Sequence, residues 1–168
     1  MTTAVKGTIV DGVFTGANGF RDYASSGPVF IGSLSRGTVV AITLTGKSSF
    51  FSVAIASTNA LNNSVHLYSN NHHVAFHYSS VWGRVNGDYD GSDGTFARHR
   101  VDRGGPFTAV LTLRGSDRTV SFSVNGVQQH GVWALPTTDA FYLMLATADD
   151  SGNNIAVTDT SVTMADLA

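Results

Sequence analysis

His73, His77, Trp82, Arg84, Asn86, Phe96, Arg98 and Arg100 bring hydrogen-bonding side chains and aromatic rings into one short stretch. Segment 66–100 holds five of the six histidines and three of the eight arginines, so the chain's unusual polar residues are concentrated there. Read as three consecutive antiparallel strands, the segment sets His73 and His77 on one face of the first. Trp82, Arg84 and Asn86 share a face of the second, and Phe96, Arg98 and Arg100 a face of the third. If those faces coincide, one sheet presents them side by side. Planar donors and acceptors of this kind suit sugar hydroxyls. An aromatic ring can cover the apolar C–H face of a sugar. The plainer alternative is the solvated outer face of an ordinary sheet.

Other chemistries fit the spacing less well. Asp88, Asp90 and Asp93 stand in a Gly-rich run like part of a calcium loop, but the position where a closing acid belongs is His99. An Asp/Gly turn is the better reading of Asn86–Gly94. His66, His72, His73 and His77 lack a carboxylate or cysteine at a recognised metal-ligand spacing, so no metal is expected. No Gly-x-Ser-x-Gly elbow supports a nucleophilic serine. All 12 acidic residues are Asp, which removes the Glu pairs common in glycosidases. The expectation is a binding protein, not an enzyme, with no catalytic residue and no cofactor.

Strands must position these residues. Charged residues make up 13% of the chain, about half the usual share, and Gly, Ser, Thr, Asn and Val take their place. Period-2 alternation predicts strands over 7–14, 28–34, 38–46, 50–57, 64–69, 73–79, 81–86, 95–101, 107–114, 119–125, 141–147 and 155–164. No sustained 3.6-residue period appears. The pattern predicts an all-β, two-sheet antiparallel sandwich of jelly-roll type, with residues 1–168 as a single domain. Phe107, Ala109, Leu111 and Leu113 would face the core, as would Val120, Phe122 and Val124. A net charge of −2 argues against nucleic acid as a partner. No run approaches the ~18 apolar residues of a membrane helix. No signal peptide is evident, so a cytoplasmic protein or one exported by a non-classical route is expected.

The order of features resembles a galectin, especially the fungal branch. It runs His73-Val-Ala75-Phe-His77-Tyr78, then Val81-Trp-Gly-Arg-Val-Asn86-Gly87, then Thr95-Phe-Ala-Arg98-His-Arg100-Val101. Pro106-Phe107, Phe122-Ser-Val-Asn-Gly126 and the closing Ser161–Ala168 continue the likeness. The resemblance implies a galectin- or concanavalin-like sandwich binding a glycan, a β-galactoside in the family, on a concave sheet. His73, Asn86 and Arg100 match ligand positions. Ala75, His77, Thr95 and Arg98 stand where the family has Asn, Arg, Trp and Glu. Arg98 for Glu removes an acceptor and adds a fixed cation, which turns the expectation toward acidic glycans. His73 and His77 imply binding that weakens at one end of about pH 5–8. Linked copies, as in a homo-oligomer, would raise avidity.

Two other readings stay open. Leu111–Gly126, followed by Leu135-Pro136 and Phe141-Tyr-Leu, also resembles a SPRY domain, in which loops grip a peptide. Here loops around 17–27, 86–95 and 127–140 would do so. A structural, capsid-like jelly roll that mainly assembles is the other.

Overall fold

The computed structural model describes residues 7–16, 24–25, 29–47, 50–56, 73–77, 80–85, 88–90, 105–135, 140–147 and 154–164. Fourteen strands lie among them: β1 (Thr8–Val10), β2 (Val13–Thr15), β3 (Ala24–Ser25), β4 (Val29–Ser33), β5 (Thr38–Lys47), β6 (Phe50–Ala56) and β7 (His73–His77). Then come β8 (Ser80–Val85), β9 (Asp88–Asp90), β10 (Pro106–Arg114), β11 (Thr119–Val124), β12 (Val127–Ala134), β13 (Ala140–Thr147) and β14 (Asn154–Met164). One sheet runs β1-β2-β14-β5-β10-β11-β12. The other runs β3-β13-β6-β7-β8-β9, with β4 also paired to β13. Every pairing among the described residues is antiparallel. The chain is an all-β, two-sheet sandwich.

The alternation in β5 and β10 shows why. Val40, Ile42 and Leu44 are buried, as are Phe107, Ala109, Leu111 and Leu113, while the residues between them are not. The ladder pairs Leu111 with Ile42 and with Phe122, so apolar positions of adjacent strands fall on one face. Phe141, Leu143 and Leu145 of β13 meet that face from the other sheet in a single core cluster. Each such side chain contributes about 1.5–3 kcal/mol on burial.

Turn chemistry sets the registers. Asn125 (φ 49°) and Gly126 (φ 78°) close a two-residue hairpin in which Val124 pairs with Val127. The Asn125 side chain accepts from the Thr108 N–H at 2.8 Å, and its own N–H donates to the Thr108 carbonyl at 2.7 Å. Between β10 and β11, Gly115 donates its N–H to the Thr38 carbonyl at 2.8 Å. A Cβ there would collide with the Ser35 carbonyl, which explains the glycine.

Several expectations need correction. The single strand expected over 7–14 is a hairpin, because Asp11 (φ 49°) and Gly12 (φ 77°) turn the chain between Val10 and Val13. The expected loop over 127–140 contains β12, which pairs with β11 through a bulge where Gln128 donates to the Phe122 carbonyl at 3.0 Å. β3 and β9 fall in the two other expected loops. The strands expected over 64–69 and 95–101 lie outside the described residues.

Candidate functional site

The second sheet positions the sequence-derived candidates. β7 and β8 pair with His73 opposite Arg84, Ala75 opposite Trp82 and His77 opposite Ser80. Directly opposed residues share a face, so His73, His77, Trp82 and Arg84 belong to one parity of the ladder. β6 adds Ala54 beside His73, Ser52 beside Ala75 and Phe50 beside His77. β13 adds Met144 beside Ala54 and Ala146 beside Ser52.

The core fixes which face this is. Leu143 and Leu145 are fully buried and hold the other parity of β13, opposite Ile55 and Val53. Val53 is opposite Val74, which is opposite Gly83. The apolar Val53, Val74, Phe76 and Val81 thus share the parity of the core leucines. His73, His77, Trp82 and Arg84 share the opposite parity. One row across the sheet reads Met144, Ala54, His73, Arg84, and the next reads Ala146, Ser52, Ala75, Trp82.

β9 extends the first row, because Tyr89 is opposite Arg84. The sequence reading missed this residue by treating Asn86–Gly94 as an Asp/Gly turn. Pairing with Gly83–Val85 gives the backbone of Asp88–Asp90 the partners that an Asx turn would otherwise supply. The Asp-Tyr-Asp alternation around a strand-favouring ring was the available signal. Ser52, Ala54 and Met144 were missed too, because nothing short of the ladder registers brings them beside His73. Asn86, Phe96, Arg98 and Arg100 lie outside the described residues, as do His66 and His72.

The first sheet's outward face differs in chemistry. It carries Thr43, Thr45, Thr108, Thr112 and Ser123, with Arg114 donating to the Ser121 hydroxyl at 2.9 Å. Its described outward positions include no aromatic residue. On the second sheet, Phe50, Trp82 and Tyr89 fall on the parity of His73 and Arg84.

No protein-family profile matches the chain, and no curated protein matches it. Solved structures do resemble it. The potassium-bound carbohydrate recognition domain of Emp46p superposes with a TM-score of 0.61 at 11% identity, covering 97% of this chain and 87% of that one. The SPRY domain of human HERC1 gives 0.57 at 13% identity, covering 90% and 91%. A sialidase gives 0.55 at 11% identity and covers 92% of this chain, which spans 15% of the sialidase's length. A toad ovary galectin in complex with thio-digalactose aligns more loosely, at 0.46 and 10% identity over 82% of this chain and 99% of that one. The first three likenesses establish the fold, a sandwich of the kind found in carbohydrate recognition domains and in SPRY domains.

Proposed function

We propose that this chain is a non-catalytic recognition domain that binds a glycan on the outward face of β6–β9. The observation that carries the reading is the β7–β8 register. It puts His73 opposite Arg84, with Trp82 two residues along, next to the small residues Ser52, Ala54 and Ala75. Small residues beside large polar and aromatic ones leave room for a flat ring to approach the sheet. Tyr89 is opposite Arg84 and adds a second ring at the end of the row. The fold's likeness to a carbohydrate recognition domain supports the reading.

Arg84 favours an acidic glycan, and Arg98 and Arg100 would add to that preference. Binding needs no metal and no proton transfer. Asp88 and Asp90 flank Tyr89 on the opposite parity, so they do not share the face of Arg84 and Tyr89. The test is a glycan array of the wild type against Trp82→Ala and Arg84→Ala, each checked for folding by circular dichroism. Selective signal lost in both variants is expected. An unchanged profile in the variants would remove this face as the site.

A second reading follows from the SPRY likeness, which covers both chains almost completely. In it, loops at one end of the sandwich take a peptide. Substitutions in the segments 17–23 and 91–95, from the loops expected over 17–27 and 86–95, would then abolish binding while Trp82→Ala and Arg84→Ala stay silent.

A further inference from the structure

β14 is longer than its neighbour on the edge side. β2 pairs with it only at Asn154, Ile155 and Ala156, and the β1–β2 hairpin turns back at that level. β5 pairs with β14 along its whole length, through a bulge at Thr158 whose hydroxyl donates to the Thr43 carbonyl at 3.2 Å. Beyond Ala156, no strand among the described residues pairs with the other edge of β14.

Among the described residues this edge is lightly protected, by the bulge at Thr158 and by Asp159 at one end. Residues 157–164 contain no Lys, no Pro and no Gly, and Asp159 is their single charge. On the inward parity, Thr160, Val162 and Met164 are opposite the buried Ile42, Val40 and Thr38. Yet Val162 is 58% exposed and Met164 is 71% exposed. Among the described residues, the cover over the core stops between β5 and β14, leaving an apolar ledge beside a row of backbone groups that no described strand pairs.

We infer that this edge pairs with the same edge of a second copy of the chain, antiparallel across a two-fold axis near Val162. The copy fits because the edge is self-complementary. With Val162 opposite itself, Thr160 faces Met164 of the second copy, and Ser161 faces Thr163. Apolar inward positions then meet apolar or β-branched ones, and hydroxyl positions meet hydroxyls. No like charges are opposed, because Asp159 lies outside the five-residue overlap centred on Val162. The hairpin tip at Val10–Val13 limits how far the added strand can run. So short a pairing buries less than the ~800 Å² per partner of a standard interface, as expected of a weak, reversible dimer. The inference does not depend on what the second sheet binds.

The chain has no cysteine, so a single introduced one reports the register without background. Val162→Cys should oxidise to a covalent dimer, because directly opposed strand residues lie within disulfide reach. Val10→Cys, also an exposed apolar position at 65%, should not. Sedimentation of the wild type from low to several hundred micromolar should show a monomer–dimer equilibrium. Val162→Lys or Met164→Lys should abolish it with an unchanged circular dichroism spectrum. A wild type that stays monomeric overturns the inference and leaves a strand from another protein as the edge's occupant. Equal cross-linking of the two cysteine variants, or a dimer that survives both lysine substitutions, overturns it as well.

Discussion

The Arg118 guanidinium sits over the ring of Phe141, 5.6 Å from its centroid, and so joins the β10–β11 turn of one sheet to β13 of the other. Its Nη1 also donates to the Leu34 carbonyl at 3.4 Å, and its own carbonyl accepts from the Leu135 N–H at 2.8 Å. One side chain thus ties the end of the sandwich together, while its backbone holds a left-handed φ of 58°. Arg118→Ala should lower stability by about 1–2 kcal/mol in urea unfolding, from the lost cation–π contact and hydrogen bond. Arg118→Gly should cost less, because glycine adopts that φ without strain. Equal losses would mean that backbone strain contributes nothing here.

Two glycines should respond differently to alanine. Gly126 has φ 78° with open space around a would-be Cβ, so Gly126→Ala should cost about 1 kcal/mol from the torsion alone. Gly115→Ala drives a Cβ into the Ser35 carbonyl and disturbs the bond from Gly115 to Thr38. It should be clearly the more destabilising in thermal unfolding. The reverse order would contradict the packing at the β10–β11 turn.

Leu111 is fully buried at the centre of the first sheet, between Ile42 and Phe122. Leu111→Ala should cost about 2–5 kcal/mol, while Thr112→Ala, one residue along and outward, should change stability little. Chemical denaturation of the pair measures the alternation directly.

If Arg84 selects acidic glycans, binding of a sulfated or sialylated ligand should weaken as salt rises from about 50 to 500 mM, and a neutral analogue should respond less. Arg84→Ala should remove most of that difference. Equal salt responses for the two ligands would rule out a charge-based preference.

Much of the sandwich was legible in the chain. Alternation in 38–46, 107–114 and 119–125 names the strands and their inward residues, because a half-buried strand must alternate. Asn125-Gly126 names its hairpin, because few residues tolerate two successive left-handed positions. Val10-Asp-Gly-Val13 carried the same signal and was passed over because the apolar alternation runs through it. β12 was hidden for another reason. Its Gln128, His130 and Gly131 break the alternation, and a bulge absorbs the break.

The candidate site divides in the same way. The sequence by itself determined that His73 and His77, and separately Trp82 and Arg84, share a strand face, since that follows from a period of two. Only the tertiary structure decided that the two faces coincide, that Tyr89 lies opposite Arg84, and that Ser52 and Ala54 lie beside them. Register between strands is a long-range property. A slip of one residue turns a whole strand over, and it would move Val53 and Val74 off the parity of the buried Leu143 and Leu145.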